Sequence, residues 1–233
     1  MKILLAPSER KTLGGNTPPI SQESFIFPEI YEKRLKAVKK YDEFLKTTDD
    51  VKNFGDDKTS VFERPTKKAV LRYSGVAFDY LKYNELDNSS QEWIDKNVFI
   101  FSNLFGVISA GDFIPHYTLK QGAKPGFDIY SYHHNLFAPL LETINETEPF
   151  IDLRAKFYEK IYRPKNAITF KFIKNGKVVS HFAKAYRGKL TAIIAKHQPE
   201  SIDDVLKIPF EGIKITEIQE KKGVKEIVCE VEE

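Results

Sequence analysis

Cysteine is almost missing from this chain. Cys229 is the only one in 233 residues, which excludes an internal disulfide and any metal site built from several thiolates. No apolar run approaches the roughly 20 residues that a membrane-spanning helix needs. There is no Gly-x-Gly-x-x-Gly and no Gly-x4-Gly-Lys-Ser/Thr, so neither the dinucleotide fingerprint nor a P-loop is present. Without a Glu-x-x-His motif, a ferritin-like di-iron site is not expected. His133 and His134 are adjacent and project from different faces of a helix. A metal would have to rest on His116 or His181, and a hydrogen-bonded structural histidine is the simpler reading of each. No metal and no cofactor is therefore expected. The first residues, MKILLAPSERK, carry charge too early for a secretion signal. With a single thiol, they point to a reducing, cytoplasmic setting.

The composition is that of a globular protein, with 41% hydrophobic and 30% charged residues. No composition break divides the chain, so one domain over residues 1–233 is expected. Net charge is only +3, but it is uneven. Between Arg154 and Lys189 there are eleven Lys or Arg and one acid, Glu159, leaving the rest of the chain acidic. Such asymmetry suits an anionic partner; a solvated basic surface is the plainer alternative.

Periodicity and turn signals indicate a mixed α/β (α+β) fold. Ile3 to Ala6 reads as a buried strand and, because Ile3, Leu4 and Leu5 are all apolar, as one covered on both faces. Residues 7 to 28, with four prolines and Gly14-Gly15, form a long loop. Glu29 to Lys46 and Asp128 to Asn145 carry helical stripes. Gly75 to Tyr83 looks helical, and Ser89 with Glu92 resembles a helix start. Val98 to Phe101 and Phe150 to Leu153 are short strands. Ala69 to Tyr73 fits either a strand or a short helix entry. Ala167 to Ile173 and Val178 to Phe182 flank Asn175-Gly176, a strong hairpin signal. Ile213 to Ile218 and Glu226 to Val231 are further strands.

Three stretches carry candidate chemistry. HFAKAYRGKLTAIIAKH, residues 181 to 197, becomes an amphipathic helix whose first turn falls near Ala185 to Lys189. Lys184, Arg187 and Lys189 crowd its start, where the helix dipole disfavours cations. A bound phosphate would reverse that sign, with helix N–H groups and side chains converging on one negative charge. Gly188 would allow close backbone approach. The second stretch, APSERKTLGG, leaves the first strand and offers Ser8 as a candidate nucleophile and Lys11 as an anion contact; loops at strand C-termini often hold ligands. In the third, GVISAGDFIPHY, Asp112 and His116 stand four apart, a spacing that suits either acid–base work or an ordinary cap and surface histidine. Gly106 and Gly111 there could frame a turn whose N–H groups face phosphate. Tyr186 completes the set of catalytic candidates.

Taken together, Pro7-Ser8 with Lys11, Leu104-Phe105-Gly106-Val107-Ile108 with Asp112 and Tyr117, Leu119 with Gly122, and Ala183-Lys184 with Arg187-Gly188 resemble, in order and spacing, the YaaA family of peroxide-stress proteins. The resemblance spans nearly the whole chain. It implies a mixed α/β domain with a positively charged cleft and a helix-hairpin-helix-like element. It also implies a cytoplasmic protein that binds double-stranded DNA, protects it under peroxide stress and is associated with lower free iron. The chain departs from the family pattern at Ser109-Ala110-Gly111-Asp112, where Arg-Pro-x-Asp is usual, and at Thr118, where Arg is common. It departs again at His133, in place of Trp, and at Leu153-Arg154-Ala155-Lys156-Phe157-Tyr158, which lacks the usual Ser and Glu. These changes mark a divergent branch and weigh against any catalysis needing the lost residues.

Three functions compete at this level. One is a peroxide-response protein binding double-stranded or structured DNA through Lys11, Lys184, Arg187, Gly188 and Lys189. Another is an enzyme acting on a phosphorylated small molecule or flipped nucleotide, with Ser8, Asp112, His116 or Tyr186 in the cleft. The last is a protein-interaction module using the acidic tail from Glu217 to Glu233. A monomer without membrane contact is the expected state. Convergence of Ser8, Lys184 and Arg187 in one deep pocket favours the enzyme; their spread along a groove favours DNA.

Overall fold

Ile3, Leu4 and Leu5 have no alternating polar partner, and such a run is stable as a strand only when both of its faces are covered. The computed structural model, which describes residues 1–179, 182–221 and 224–231, meets that demand. Strand β1 (Lys2–Leu5) lies inside the sheet, with Ile3 and Leu4 wholly buried. It is followed by α1 (Tyr31–Thr47), α2 (Val51–Phe54), β2 (Thr66–Lys68), α3 (Ala69–Arg72), α4 (Val76–Leu81) and α5 (Asn88–Asn97). Then come β3 (Val98–Ser102), β4 (Gly106–Ser109), β5 (Phe113–Pro115), α6 (Ile129–Thr147), β6 (Phe150–Asp152), β7 (Ala167–Lys174) and β8 (Lys177–Val178). The chain closes with α7 (Ala183–His197), α8 (Ile202–Lys207), β9 (Ile213–Lys221) and β10 (Val224–Val231).

Eight strands form one mixed sheet in the order β4-β3-β1-β6-β7-β10-β9, with β8 paired to β7. Its middle is parallel: β1 pairs with β3 and β6, and β7 pairs with β6 and β10. The outer strands β4 and β9 run antiparallel to their neighbours. Parallel neighbours require crossovers, so helices cover the sheet and one core runs through the molecule. Among the described residues no helix is long and apolar enough to cross a membrane.

Most predicted elements are present, and three differences have local causes. Asp87, not Ser89, caps α5, its carboxylate accepting from the Ser90 amide at 2.8 Å. Of the two forms open for residues 69–72, the helical one is taken. The hairpin after β7 turns at Asn175 and Gly176, with φ of 52° and 72° as a type I′ turn requires. Its returning strand, however, is only β8, and the expected extension toward Phe182 runs through residues 180 and 181, outside the described residues. The segment from Asn103 to Tyr117 is strand, turn and strand, so no helical hairpin is built there. A Cβ on Gly106 would stand 2.0 Å from Phe137, and one on Gly111 3.0 Å from Asp95; these glycines serve packing rather than a phosphate.

Candidate functional site

Parallel strands deliver the loops at their C-terminal ends to the same side of a sheet, which is why α/β ligand sites gather there. Adjacent strands β1 and β6 do this here. A cavity of about 320 Å³ is lined by Leu5 to Arg10 from the loop after β1 and by Leu153, Ala155 and Tyr158 after β6. Gly75 to Phe78 at the start of α4, Gln121, and Lys184 and Arg187 of α7 complete the wall. Five separate parts of the chain converge on it. A more voluminous hollow of about 700 Å³ is an open groove along the single stretch Ile208 to Ile215 and brings no distant residues together.

Helix packing aims the two α7 cations. Helix α7 lies against α4 with Gly188 at the crossing, where a Cβ would be 2.0 Å from the Ala77 carbonyl oxygen and 2.9 Å from the Leu81 nitrogen. That contact, rather than a phosphate, is what Gly188 is needed for, which corrects its expected place in an anion site. α7 begins at Ala183, earlier than expected, so Lys184 lies in the first turn and Arg187 in the second. Arg187 is half-buried, and burial lowers its pKa, with Asp152 opposing. Asp152 is itself held by Arg154 through two hydrogen bonds of 2.8 and 2.6 Å. Arg187 has no hydrogen bond or ion pair from its side chain among the described residues. It is a guanidinium set partly out of water whose five donors have no partner among the described residues. Lys184 and Arg10, both exposed, add positive charge at the mouth. Glu9 is the acid in the wall, its carboxylate 3.4 Å from the Gln121 amide.

Tyr158 joins the cavity wall to a buried hydrogen-bond network. Tyr158 and Tyr130 donate to the same oxygen, Asn103 Oδ1, at 3.0 and 3.3 Å. Asn103 Nδ2 donates to the Leu119 carbonyl, and the Gly122 amide donates to Tyr130. This ties the loop carrying Gln121 to Tyr158. Burial raises the Tyr158 and Tyr130 pKa values, so both phenols stay protonated as donors. Ser8 sits in the wall with its Oγ accepting from the Arg10 amide at 3.2 Å. That Oγ would lie 3.1 Å from a Cβ on Gly75, where φ is +112°.

The structure therefore brings Ser8, Lys184 and Arg187 together, with Lys11 just behind them. Lys11 Nζ donates to the carbonyls of Ser8 and Glu9 at 3.4 and 3.3 Å. The other candidates stand elsewhere. The Asp112 carboxylate accepts from the Ile26 and Ser109 amides and does not pair with His116. His116 is half-exposed, its pKa lowered by burial first and then by Lys11, Arg72 and Arg64. Tyr186 is buried and stacked on Phe172 at 5.2 Å. Lys189 lies over the rings of Tyr80 and Tyr186, at 5.6 and 5.5 Å. His181 falls outside the described residues. Among those described, no group of three or more His, Cys, Asp or Glu is gathered as a metal ion would need.

The basic segment is less concentrated in space than along the chain. Arg154 pairs with Asp152, Arg163 with Glu159 at 2.9 Å, and Lys165 with Glu142. At least these three of its cations are paired locally. Tyr158, Gln121 and the Gly75–Phe78 turn were invisible as site residues in the sequence, since each reaches the cavity only through the packing of α4 and of the segments after β5 and β6.

A family model described as "Peroxide stress protein YaaA" matches residues 1–219. An uncharacterized protein of Campylobacter jejuni is 43% identical over 244 aligned positions, covering 99% of each chain. A UPF0246 protein of Corynebacterium glutamicum is 33% identical over 89% of this chain and 91% of its own. One of Corynebacterium efficiens is 35% identical over 86% and 87% respectively.

Proposed function

The chain belongs to the YaaA family of peroxide stress proteins, and we propose that it serves that response by binding a phosphate-bearing group in the pocket at the ends of β1 and β6. The observation that carries this reading is Arg187, half-buried in the cavity wall and without an ion pair among the described residues, beside Lys184 and Ser8. A volume of about 320 Å³ is at the small end for ligand pockets and suits one nucleotide-sized unit rather than a duplex. The ligand is either a phosphorylated small molecule or a nucleotide turned out of a strand. This reading assigns Ser8, in the cavity wall, as the group to act on it.

DNA is favoured as the source of that unit by the exposed Arg10, Lys156 and Lys184, which border the mouth or adjoin its lining. Double-stranded or structured DNA lying across them would be held by phosphate contacts, with one nucleotide entering the cavity. Protection of DNA and an associated fall in free iron during peroxide stress belong to this proposal.

Calorimetric titration with inorganic phosphate, a nucleoside monophosphate and a short duplex tests it. Arg187→Gln removes a charged hydrogen-bond donor and is expected to weaken each by roughly 10- to 100-fold. Changing Lys184 and Arg187 together to Gln should reduce the log–log salt slope of duplex binding by up to about 1.8. Equal affinities for wild type and Arg187→Gln would refute the pocket.

A further inference from the structure

Arg10, Lys184 and Arg187 all line the cavity, and among the described residues none of their side chains makes a hydrogen bond or an ion pair. Other cations of the basic segment are satisfied, Arg154 by Asp152, Arg163 by Glu159 and Lys165 by Glu142. The carboxylate of the lining, Glu9, is already engaged. It accepts from the Gln121 amide at 3.4 Å and acts by charge on Lys11, behind the loop. Asp79, outside the lining, accepts from the Gly75 amide at 3.3 Å.

The three cations gather about one short stretch, Gly75 to Ala77. A Cβ on Gly75 would lie 3.1 Å from Ser8 Oγ, and 3.8 and 3.9 Å from Nε and Nη2 of Arg10. From the other side, α7 is seated against the Ala77 carbonyl through Gly188, next to Arg187 and one turn on from Lys184. Two guanidiniums, an ammonium and a hydroxyl therefore meet at one part of the wall. Much of the remaining wall is apolar, with Leu5, Pro7, Phe78 and Leu153.

Phosphate occurs in two forms that such a wall tells apart. A monoester ends in three acceptor oxygens and carries roughly −1.5 to −2 charges at neutral pH, its last proton leaving at about 6. A diester inside a strand has two free oxygens and a single charge. Three unpartnered cations against one engaged carboxylate leave an excess of two positive charges in the lining. That excess matches the monoester dianion and is more than a diester neutralises. Three cationic donor groups likewise match three oxygens. The apolar remainder of a cavity of about 320 Å³ suits a sugar or base better than a second charge.

We infer that the pocket selects a terminal phosphate monoester, with Arg10, Lys184 and Arg187 on its oxygens and its organic part against Phe78 and Leu153. This inference rests on the phosphate-pocket reading and narrows it. Such a group is carried by a free phosphorylated metabolite or by the phosphorylated end of a nucleic-acid strand, and not by the interior of one.

The test is calorimetric titration of each monoester against a partner that lacks it, at fixed salt. Adenosine 5′-monophosphate and its methyl diester form one arm, which reads a free metabolite. A short duplex with 5′-phosphorylated or 5′-hydroxyl ends forms the other, which reads a strand end. At about pH 8 the monoester is a dianion, and it should bind at least roughly 10-fold tighter than its partner in one arm or both. At about pH 5 it becomes a monoanion, and most of the preference should vanish. Sulfate, a dianion at both pH values, controls for titration of the protein and should weaken far less. Arg10→Gln and Arg187→Gln should each shrink the preference several-fold, with melting as the check on fold. A preference unchanged in both variants would place the monoester elsewhere on the protein and overturn the inference. If neither arm shows a preference, yet every ligand is weakened by Arg187→Gln, this inference fails and the pocket stands. If no phosphate binds at all, the pocket reading fails first.

Discussion

The carbonyl oxygen of Ala77 in α4 occupies the space beside Gly188 in α7 so closely that a Cβ there would lie 2.0 Å from it. The two helices meet backbone to backbone, and Lys184 and Arg187 reach the cavity because of that closeness. Gly188→Ala gains helix propensity of up to about 1 kcal/mol, but the opposing atom is backbone and cannot rotate away. Overpacking of this kind costs about 1–3 kcal/mol, occasionally more. A lower urea midpoint together with weaker phosphate binding is expected, since α7 must move outward. A variant as stable as wild type would mean that the helices do not cross as described.

Asp112 sits where the sequence suggested a catalytic acid, yet its surroundings are those of a clamp. Its buried carboxylate holds the amides of Ile26 and Ser109, and it faces the charge of Arg34, which is also buried. Burial pushes the carboxyl up to about 7, with Arg34 and the amides opposing. Asp112→Ala orphans the amides and leaves Arg34 less compensated, a loss of roughly 3–5 kcal/mol by analogy with broken buried pairs. Asp112→Asn keeps one acceptor and should cost less. Denaturant unfolding checks the order; unchanged stability with lost ligand binding would make Asp112 a functional residue after all.

His133 is almost fully buried between Tyr132 and Phe137, close to the backbone of Asn103 and Leu104, and neither ring nitrogen has a hydrogen-bond partner of good geometry. Burial lowers its pKa from 6.5 to about 3. Between those values the unfolded chain binds a proton that the folded one does not, so this group's contribution to stability falls as pH drops from 6.5 toward 3. His133→Phe removes that penalty. Its melting temperature should match or exceed wild type at pH 7, and its advantage should widen on acidification by up to about 1.4 kcal/mol per pH unit. An advantage that stays constant with pH would show that His133 does not titrate as described.

Much of this molecule could be read from local pattern, because local pattern is where propensity and burial act directly. The unbroken Ile3-Leu4-Leu5 run required a strand covered on both faces, and β1 is one. Asn175-Gly176 required a left-handed turn, and both residues adopt it. The cations crowding the start of α7 singled that segment out, and Lys184 and Arg187 line the cavity. Tertiary structure decided the rest. Which of eleven clustered cations stay free depended on acids as distant as Glu142, and ion pairing acts over ångströms in space, not along the chain. Gly188 looked like a site for a ligand and proved to be a seat for a helix, because what a missing Cβ makes room for is set by the neighbour that packs there. Tyr158 and the Ser8–Glu9 loop became one site only when parallel pairing of β1 with β6 set their loops side by side. Pairing between strands so far apart in sequence is chosen by the whole core at once, which no short window of residues contains.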